Sequence, residues 1–164
     1  MPLSDAELEE LAHAEGERSE FKESLSDRDR IKRAICAFSN DLADHREPGA
    51  IFVGLREDGS CAGLTITEEL ERMAAAFRSD GSLLPMPSML MRRERIRGCD
   101  VLLIEVEPAS APPVRLSGVA WVRVGSTTRR LPPRRSGALP SECNGSPAHL
   151  TCGRLRVACS TISI

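Results

Sequence analysis

Aromatic side chains are scarce in this chain: they make up 3% of its 164 residues, with one tryptophan, four phenylalanines and no tyrosine. The core must therefore rest on leucine, isoleucine, valine, alanine and methionine. No apolar run approaches the roughly 18 residues that cross a bilayer, so no membrane partner is expected. The N-terminus, MPLSDAELEELAH, is acidic and lacks the basic-then-apolar order of a signal peptide. These features predict a cytoplasmic protein.

Cysteine and histidine patterns that bind metals are also missing. The six cysteines form no CxxC pair, and the three histidines are scattered. This spacing predicts neither a zinc site nor the disulfide framework of a small secreted protein. Cys36, Cys61 and Cys99 lie in apolar or strand-like segments and are expected to be small buried hydrophobes. No cofactor is certain, and any metal would be a hard cation such as Mg²⁺ or Mn²⁺ held by oxygen ligands.

The charge of the chain is unevenly distributed. The formal net charge is −2, but residues 115–135 contain no acidic residue. Six arginines lie in this stretch: Arg115, Arg123, Arg129, Arg130, Arg134 and Arg135. An uninterrupted basic segment is a plausible contact surface for a polyanion. The alternative is a strand end and loop that are simply rich in arginine.

Hydrophobic periodicity predicts three helices and several strands. Ser4, Ser26 and Thr67 are candidate N-caps of helices that reach about residues 13, 42 and 78. In the second helix the apolar stripe runs from Ile31 to Leu42, with Arg33 on the far side. Strands are expected over residues 19–23, 50–55, 60–64, 89–96, 100–107 and 119–124. The pattern predicts an α/β (α+β) fold, a single mixed-sheet domain of about five to six strands with two main helices on one side.

Three segments are distinguished along the chain. Residues 1–14 form an N-terminal helix, and residues 15–130 form the α/β domain. Residues 131–164 lack periodicity and hold half of the cysteines, so a disordered or aberrant tail is expected there.

The segment EGERSEFK, residues 15–22, is the most distinctive motif. It places Glu15, Glu17 and Glu20 beside Lys22, with Phe21 as its one aromatic residue. Such a cluster is often a solvated surface. A possible distant partner is the turn Glu57-Asp58-Gly59, which follows the apolar run of residues 51–54.

Four motifs in order resemble the Schlafen-type AlbA-like putative DNA-binding domain. They are E-x-x-x-x-E-F-K-E-S (residues 15–24), I-x-K-x-I-C-A-F-S-N (31–40), I-F-V-G-L-x-E-D-G-x-C-A-G (51–63) and P-P-V-R-x-x-G-x-A-W-V-R-V-G-S-T-T-R (112–129). Many members have a Gly-Gly pair before the first long strand, whereas this chain has DLADHREPGA with only Gly49. That departure puts a phosphate-cradling role of the loop in doubt.

The resemblance implies two functions. The first is DNA or RNA binding, as part of a bacterial transcriptional or defence regulator. Its candidate residues are Lys22, Arg28, Lys32, Arg33, Arg115, Trp121, Arg123, Arg129 and Arg130. The alternative is a metal-dependent endoribonuclease, with Glu15, Glu20 and Asp58 as catalytic and metal-binding residues and Glu57 as an alternative to Asp58. Three carboxylates could hold Mg²⁺ or Mn²⁺ that activates water.

Further partners follow from the same resemblance. Active relatives build their groove from two lobes, and a homodimer could supply the second. Larger members carry an ATPase-like region after this domain, which suggests a missing C-terminal domain; no GxxxxGK[ST] motif occurs here. Trp121 beside Arg123 could stack a base, although a large hydrophobe covering the sheet is the simpler interpretation.

Overall fold

A computed structural model describes residues 2–132 of the chain. Its elements, in chain order, are α1 (Asp5–Leu11), β1 (Ser19–Lys22), α2 (Arg28–Asn40), β2 (Gly49–Val53), α3 (Glu68–Ser79), β3 (Leu83–Leu84), β4 (Met89–Ile96), β5 (Cys99–Val106), β6 (Arg115–Leu116), β7 (Trp121–Val124) and β8 (Thr127–Arg130). The predicted mixed α/β class is confirmed. The predicted tail lies, from residue 133 onward, outside the described residues.

The central sheet has four strands in the order β1-β2-β5-β4. β1 and β2 are parallel, with Glu20 opposite Ile51, because α2 returns the chain to the same edge between them. The other two pairs are antiparallel, and β4 and β5 form a hairpin across the predicted turn at Arg97 and Gly98. Two further pairs, β3 with β6 and β7 with β8, stand apart from this sheet.

The helices α2 and α3 cover one face of the sheet, as predicted. The α2 stripe, including Ile31, Ile35 and Phe38, is buried against Ile51 and Ile104. The Asp27 side chain accepts from Arg30 N–H, so Asp27 rather than the predicted Ser26 is the N-cap of α2. Thr67 caps α3 as predicted, with its hydroxyl accepting from Leu70 N–H.

The helix α1 covers the opposite face of the sheet. Ser4 and Glu7 form the predicted capping box, and Leu8 packs in a second core cluster with Phe21 and Phe52. Alternation in β5 predicts that Glu105 faces solvent, and this is wrong. Glu105 is buried and accepts a hydrogen bond from Leu3 N–H at 2.8 Å, because the N-terminal segment lies over this face.

The connection after β2 also differs from the prediction. Instead of a return strand over residues 60–64, a single bridge joins Leu55 and Cys61. Cys61 is exposed and forms a disulfide with the buried Cys99, so neither is simply a small buried hydrophobe. Cys36 is buried and free, as expected, and burial raises the pKa of its thiol.

The hairpin of β7 and β8 packs on α2, and the sequence predicts only the first of its two strands. β7 occupies the second part of the expected strand, whereas β8 was not foreseen. Trp121 lies opposite Arg130, and Arg123 lies opposite Thr128. Over residues 2–132, no helix is long and apolar enough to cross a membrane.

Candidate nucleic-acid interface

Glu20 is part of a partly buried ionic cluster on the α2 face of β1. Its carboxylate contacts Lys22 Nζ at 2.5 Å and, from the other oxygen, Arg123 Nη1. Only 12% of the Glu20 side chain and 4% of the Arg123 side chain are exposed. Both cations share this one carboxylate, so the cluster carries a formal charge of +1, and each buried charge still has an opposite partner.

Arg123 joins the β7–β8 hairpin to the edge of the central sheet. Its Nε donates to Gly16 O and its Nη2 to Ser19 O, each at 2.8 Å. Its Nη1 also donates to Thr128 Oγ1 at 3.2 Å. All three nitrogen atoms are therefore engaged within the domain, and this predicted nucleic-acid contact presents no free charge at the surface.

Glu15 supports the same edge strand. Its Oε1 accepts a hydrogen bond from Phe21 N–H at 2.8 Å, which pairs a backbone group of β1 that has no neighbouring strand. Lys22 Nζ donates to Phe21 O at 2.8 Å, in addition to its contact with Glu20. Side chains of the EGERSEFK motif thus form hydrogen bonds with backbone groups on the unpaired edge of β1.

Asp58 lies on the exposed turn that follows β2. Its Oδ1 accepts from Ser60 N–H at 2.9 Å, and hydrogen bonds from Ser60 lower the pKa of its carboxyl. Among residues 2–132, no group of three or more His, Cys, Asp or Glu side chains is placed to hold a metal ion. The arrangement gives no support to a Mg²⁺ or Mn²⁺ site on Glu15, Glu20 and Asp58, which stays a prediction.

Trp121 is partly buried against the main core, and it is the centre of a different cluster where the β7–β8 hairpin packs on α2. The Arg33 guanidinium stacks over its ring at 4.7 Å from the centroid, within the range of a cation–π interaction. Arg130 is the cross-strand neighbour of Trp121, and directly paired residues project from the same face of a ladder. The side of α2 expected to face solvent at Arg33 is therefore partly covered by the hairpin.

Asn40 fixes the position of this tryptophan. Its side-chain amide donates to Trp121 O at 2.7 Å and Val114 O at 3.0 Å, and it accepts from Val114 N–H at 2.7 Å. Arg33 and Asn40 are seven residues apart on α2, so both project toward the hairpin. Sequence reasoning assigned no role to Asn40. The signal available was a polar amide seven residues after Arg33, on the same side of the helix.

A shallow groove of about 250 Å³ runs beside this cluster. Lys32, Arg33, Leu116, Val119 and Trp121 are among the residues that line it. Lys32 is paired with Asp80, and this hydrogen bond, followed by those from Ser82, lowers the pKa of the Asp80 carboxyl to about 2. Lys32 therefore contributes less free charge than Arg33.

The remaining predicted residues differ in their surroundings. Arg28 and Arg115 are exposed at the beginnings of α2 and β6. Arg129 and Arg130 are exposed on β8 and, as neighbours in a strand, point to opposite faces. Arg33 contacts Trp121, whose cross-strand neighbour is Arg130, whereas Glu20, Lys22 and Arg123 form a different set of ion pairs.

This combination defines a small mixed α/β domain with a closed ionic cluster inside and an arginine–tryptophan cluster outside. Residues 15–132 match the model of the Schlafen, AlbA_2 family. Because the match covers well over half of the chain, this protein belongs to that family, and the resemblance inferred from the four motifs is confirmed.

The solved structures similar to this chain include that of the DIP2311 protein from Corynebacterium diphtheriae. It is 21% identical, with a TM-score of 0.48, over 70% of this chain and 25% of that one. The present chain thus spans about a quarter of that protein. No curated protein matches the chain.

Proposed function

We propose that this domain binds nucleic acid through the cluster of Arg33, Trp121 and Arg130. Membership of the Schlafen, AlbA_2 family makes a nucleic-acid-related function the natural class. The observation that carries the proposal is the Arg33 guanidinium over a partly exposed Trp121 ring, beside a groove and opposite a second exposed arginine.

The chemistry of this cluster suits a nucleotide. A guanidinium can contact a phosphate or offer its flat face to a base, and an aromatic ring offers a stacking surface that every base can use. Arg130 and Arg129 continue the positive charge along β8, and the stretch of residues 115–132 contains no carboxylate. With a net charge of −2 for the whole chain, binding should be moderate and strongly dependent on salt.

The endoribonuclease alternative is not proposed, because no observation favours it. Glu20 is neutralised by Lys22 and Arg123, and Glu15 accepts from a backbone amide. A carboxylate already held by two cations has little to offer a divalent metal.

The test uses Trp121 as its own reporter, since the chain has no other tryptophan and no tyrosine. Single-stranded and duplex DNA and RNA are titrated into the full chain at low salt while the tryptophan emission is followed. Binding should change the emission. Arg33→Ala should weaken the affinity roughly tenfold, in line with the cost of losing one stacked contact. Arg95→Ala is the matched control, because Arg95 is an exposed arginine on β4. Unchanged emission with every nucleic acid, or equal losses in both variants, would contradict the proposal.

A further inference from the structure

The disulfide between Cys61 and Cys99 links an exposed turn to a strand of the central sheet. Cys99 is the buried first residue of β5, an interior strand of the sheet, directly after the β4–β5 turn, whereas Cys61 is exposed at the end of the turn after β2. The two cysteines are 38 residues apart. The bond therefore ties a surface turn to the rigid core.

Most other hydrogen bonds of the tethered turn lie within the turn itself, among them those from Gly59 N–H to Arg56 O and from Ser60 N–H to Asp58 Oδ1. Arg56 N–H donates to Ser60 O at 2.9 Å, and Ala62 N–H donates to Gly54 O at 2.8 Å. One bridge joins Leu55 and Cys61, and residues 62–66 that follow have no regular structure. Exposed segments with few hydrogen bonds to the core open at low free-energy cost, so the covalent link should limit the movement of this turn relative to the sheet.

The turn borders a cleft of about 510 Å³ at the carboxyl ends of β1 and β2. Arg56, Glu57 and Asp58 line one side of it, and Lys22, Ser24 and Arg30 are among the residues on the other. Arg56 lies 4.0 Å from Glu23, across this cleft. The turn therefore forms part of the wall of this cleft.

We propose that Cys61–Cys99 is a reversible redox tether, opened by thiol–disulfide exchange at the exposed Cys61, that controls the mobility of residues 56–62. An external thiolate attacks Cys61 Sγ, the sulfur–sulfur bond breaks, and Cys99 leaves as a thiolate that takes a proton from water. A second external thiolate then attacks the external sulfur of the mixed disulfide and releases Cys61. The reaction yields two protein thiols and one oxidised external disulfide, with both electrons supplied by the external thiols.

Burial makes the two sulfurs unequal. Cys99 is only 4% exposed, so a thiol reagent reaches the bond from the Cys61 side. A thiolate is a poor leaving group where burial disfavours its charge, so exchange should be measurable but slower than at an exposed disulfide. The mixed disulfide should accordingly form on Cys61 and not on Cys99.

Peptide mapping of the full chain tests the chemistry. Trypsin places Cys61 in residues 57–72, Cys99 in residues 98–115 and Cys36 in residues 34–46. The oxidised protein should yield the linked pair of the first two peptides, and reduced glutathione should convert it to alkylatable thiols by way of glutathione on Cys61. Cys36, buried and free, should not change and serves as the internal control.

Hydrogen exchange measured on the same samples tests the tether. Reduction, or Cys61→Ser, should speed exchange of the amides in residues 56–62 by about tenfold or more, while residues 101–106 stay protected. Three results would overturn the proposal: free thiols at both positions in oxidised protein, a linked pair that survives excess glutathione until the protein unfolds, or unchanged exchange in the turn after reduction.

Discussion

At the scale of single residues, side chains of the acidic segment of residues 15–22 stabilise the edge strand β1. Glu15 accepts from the Phe21 amide, and Glu20 holds Arg123, which itself bonds two carbonyl groups of residues 16–19. A free strand edge invites pairing with another chain, so occupying its backbone groups with side chains protects the fold. The carboxylates of this family motif therefore have a structural role at the edge of the sheet.

Arg123→Ala should destabilise the domain severely. It removes the hydrogen bonds to Gly16, Ser19 and Thr128 and leaves Glu20 with Lys22 alone. Breaking a buried pair in this way costs about 3–5 kcal/mol, measured as the free energy of unfolding in urea. Arg129→Ala, at an exposed neighbour on β8, should change it by less than about 0.5 kcal/mol. Equal unfolding midpoints for the two variants would refute the structural role of Arg123.

Asp80 should titrate well below an ordinary aspartate. Its pKa is lowered from 3.8 to about 2, chiefly by the hydrogen bond from Lys32, so the folded state favours the ionised form. The stabilising effect is present above pH about 4 and disappears as the pH falls through about 2. Solvent screening should limit it to about 1 kcal/mol or less.

Urea unfolding of the wild type and Asp80→Asn across this pH range measures that effect. The wild type should be the more stable protein above pH about 4, and the difference should close toward pH 2. A carboxyl NMR titration midpoint near 3.8 for Asp80 would show that Lys32 does not hold this group.

At the scale of elements, long periodic segments were the predictable ones. The α2 stripe, the α3 cap at Thr67 and the β4–β5 hairpin follow from spacing and turn chemistry. β8 could not be predicted in this way, because its residues TTRR carry no apolar alternation. It forms because its backbone pairs with the antiparallel strand β7.

The environment of β5 shows a second limit of pattern reasoning. Alternating Glu105 and Glu107 is typical of a sheet with one solvated face. A short amphipathic helix elsewhere in the chain, α1, covers that face and buries Glu105 with Leu3 N–H as its donor. The alternation of residues within one strand does not predict where a distant helix packs.

Gly49→Ala should disrupt the contact between β2 and α2. A Cβ at Gly49 would overlap the Phe38 ring, which is buried and packed in the main core. The expected cost is about 1–3 kcal/mol, read from thermal unfolding. Gly16→Ala is the matched control, since its Cβ would meet Ser19 Oγ at an ordinary 3.6 Å. A wild-type melting temperature for Gly49→Ala would contradict this packing.

At the scale of the whole molecule, the division of the charged residues required the tertiary structure. The order of the motifs was sufficient to predict the family, but Glu20 and Arg123 are 103 residues apart and nothing local pairs them. For the same reason Arg123 was grouped with Arg33 and Arg130 as a nucleic-acid contact. Its partners bury it, whereas Arg33 and Trp121 are partly exposed and Arg130 is exposed.

The salt dependence of nucleic-acid affinity tests this account most directly. Each phosphate contact adds about one unit to the slope of log affinity against log salt, or about 0.7 for single strands. The slope should be shallower for the double variant Arg33→Ala and Arg130→Ala than for the wild type, while Arg95→Ala should keep the wild-type slope. An unchanged slope for the double variant, or affinity that does not depend on salt, would contradict binding at the Trp121 surface.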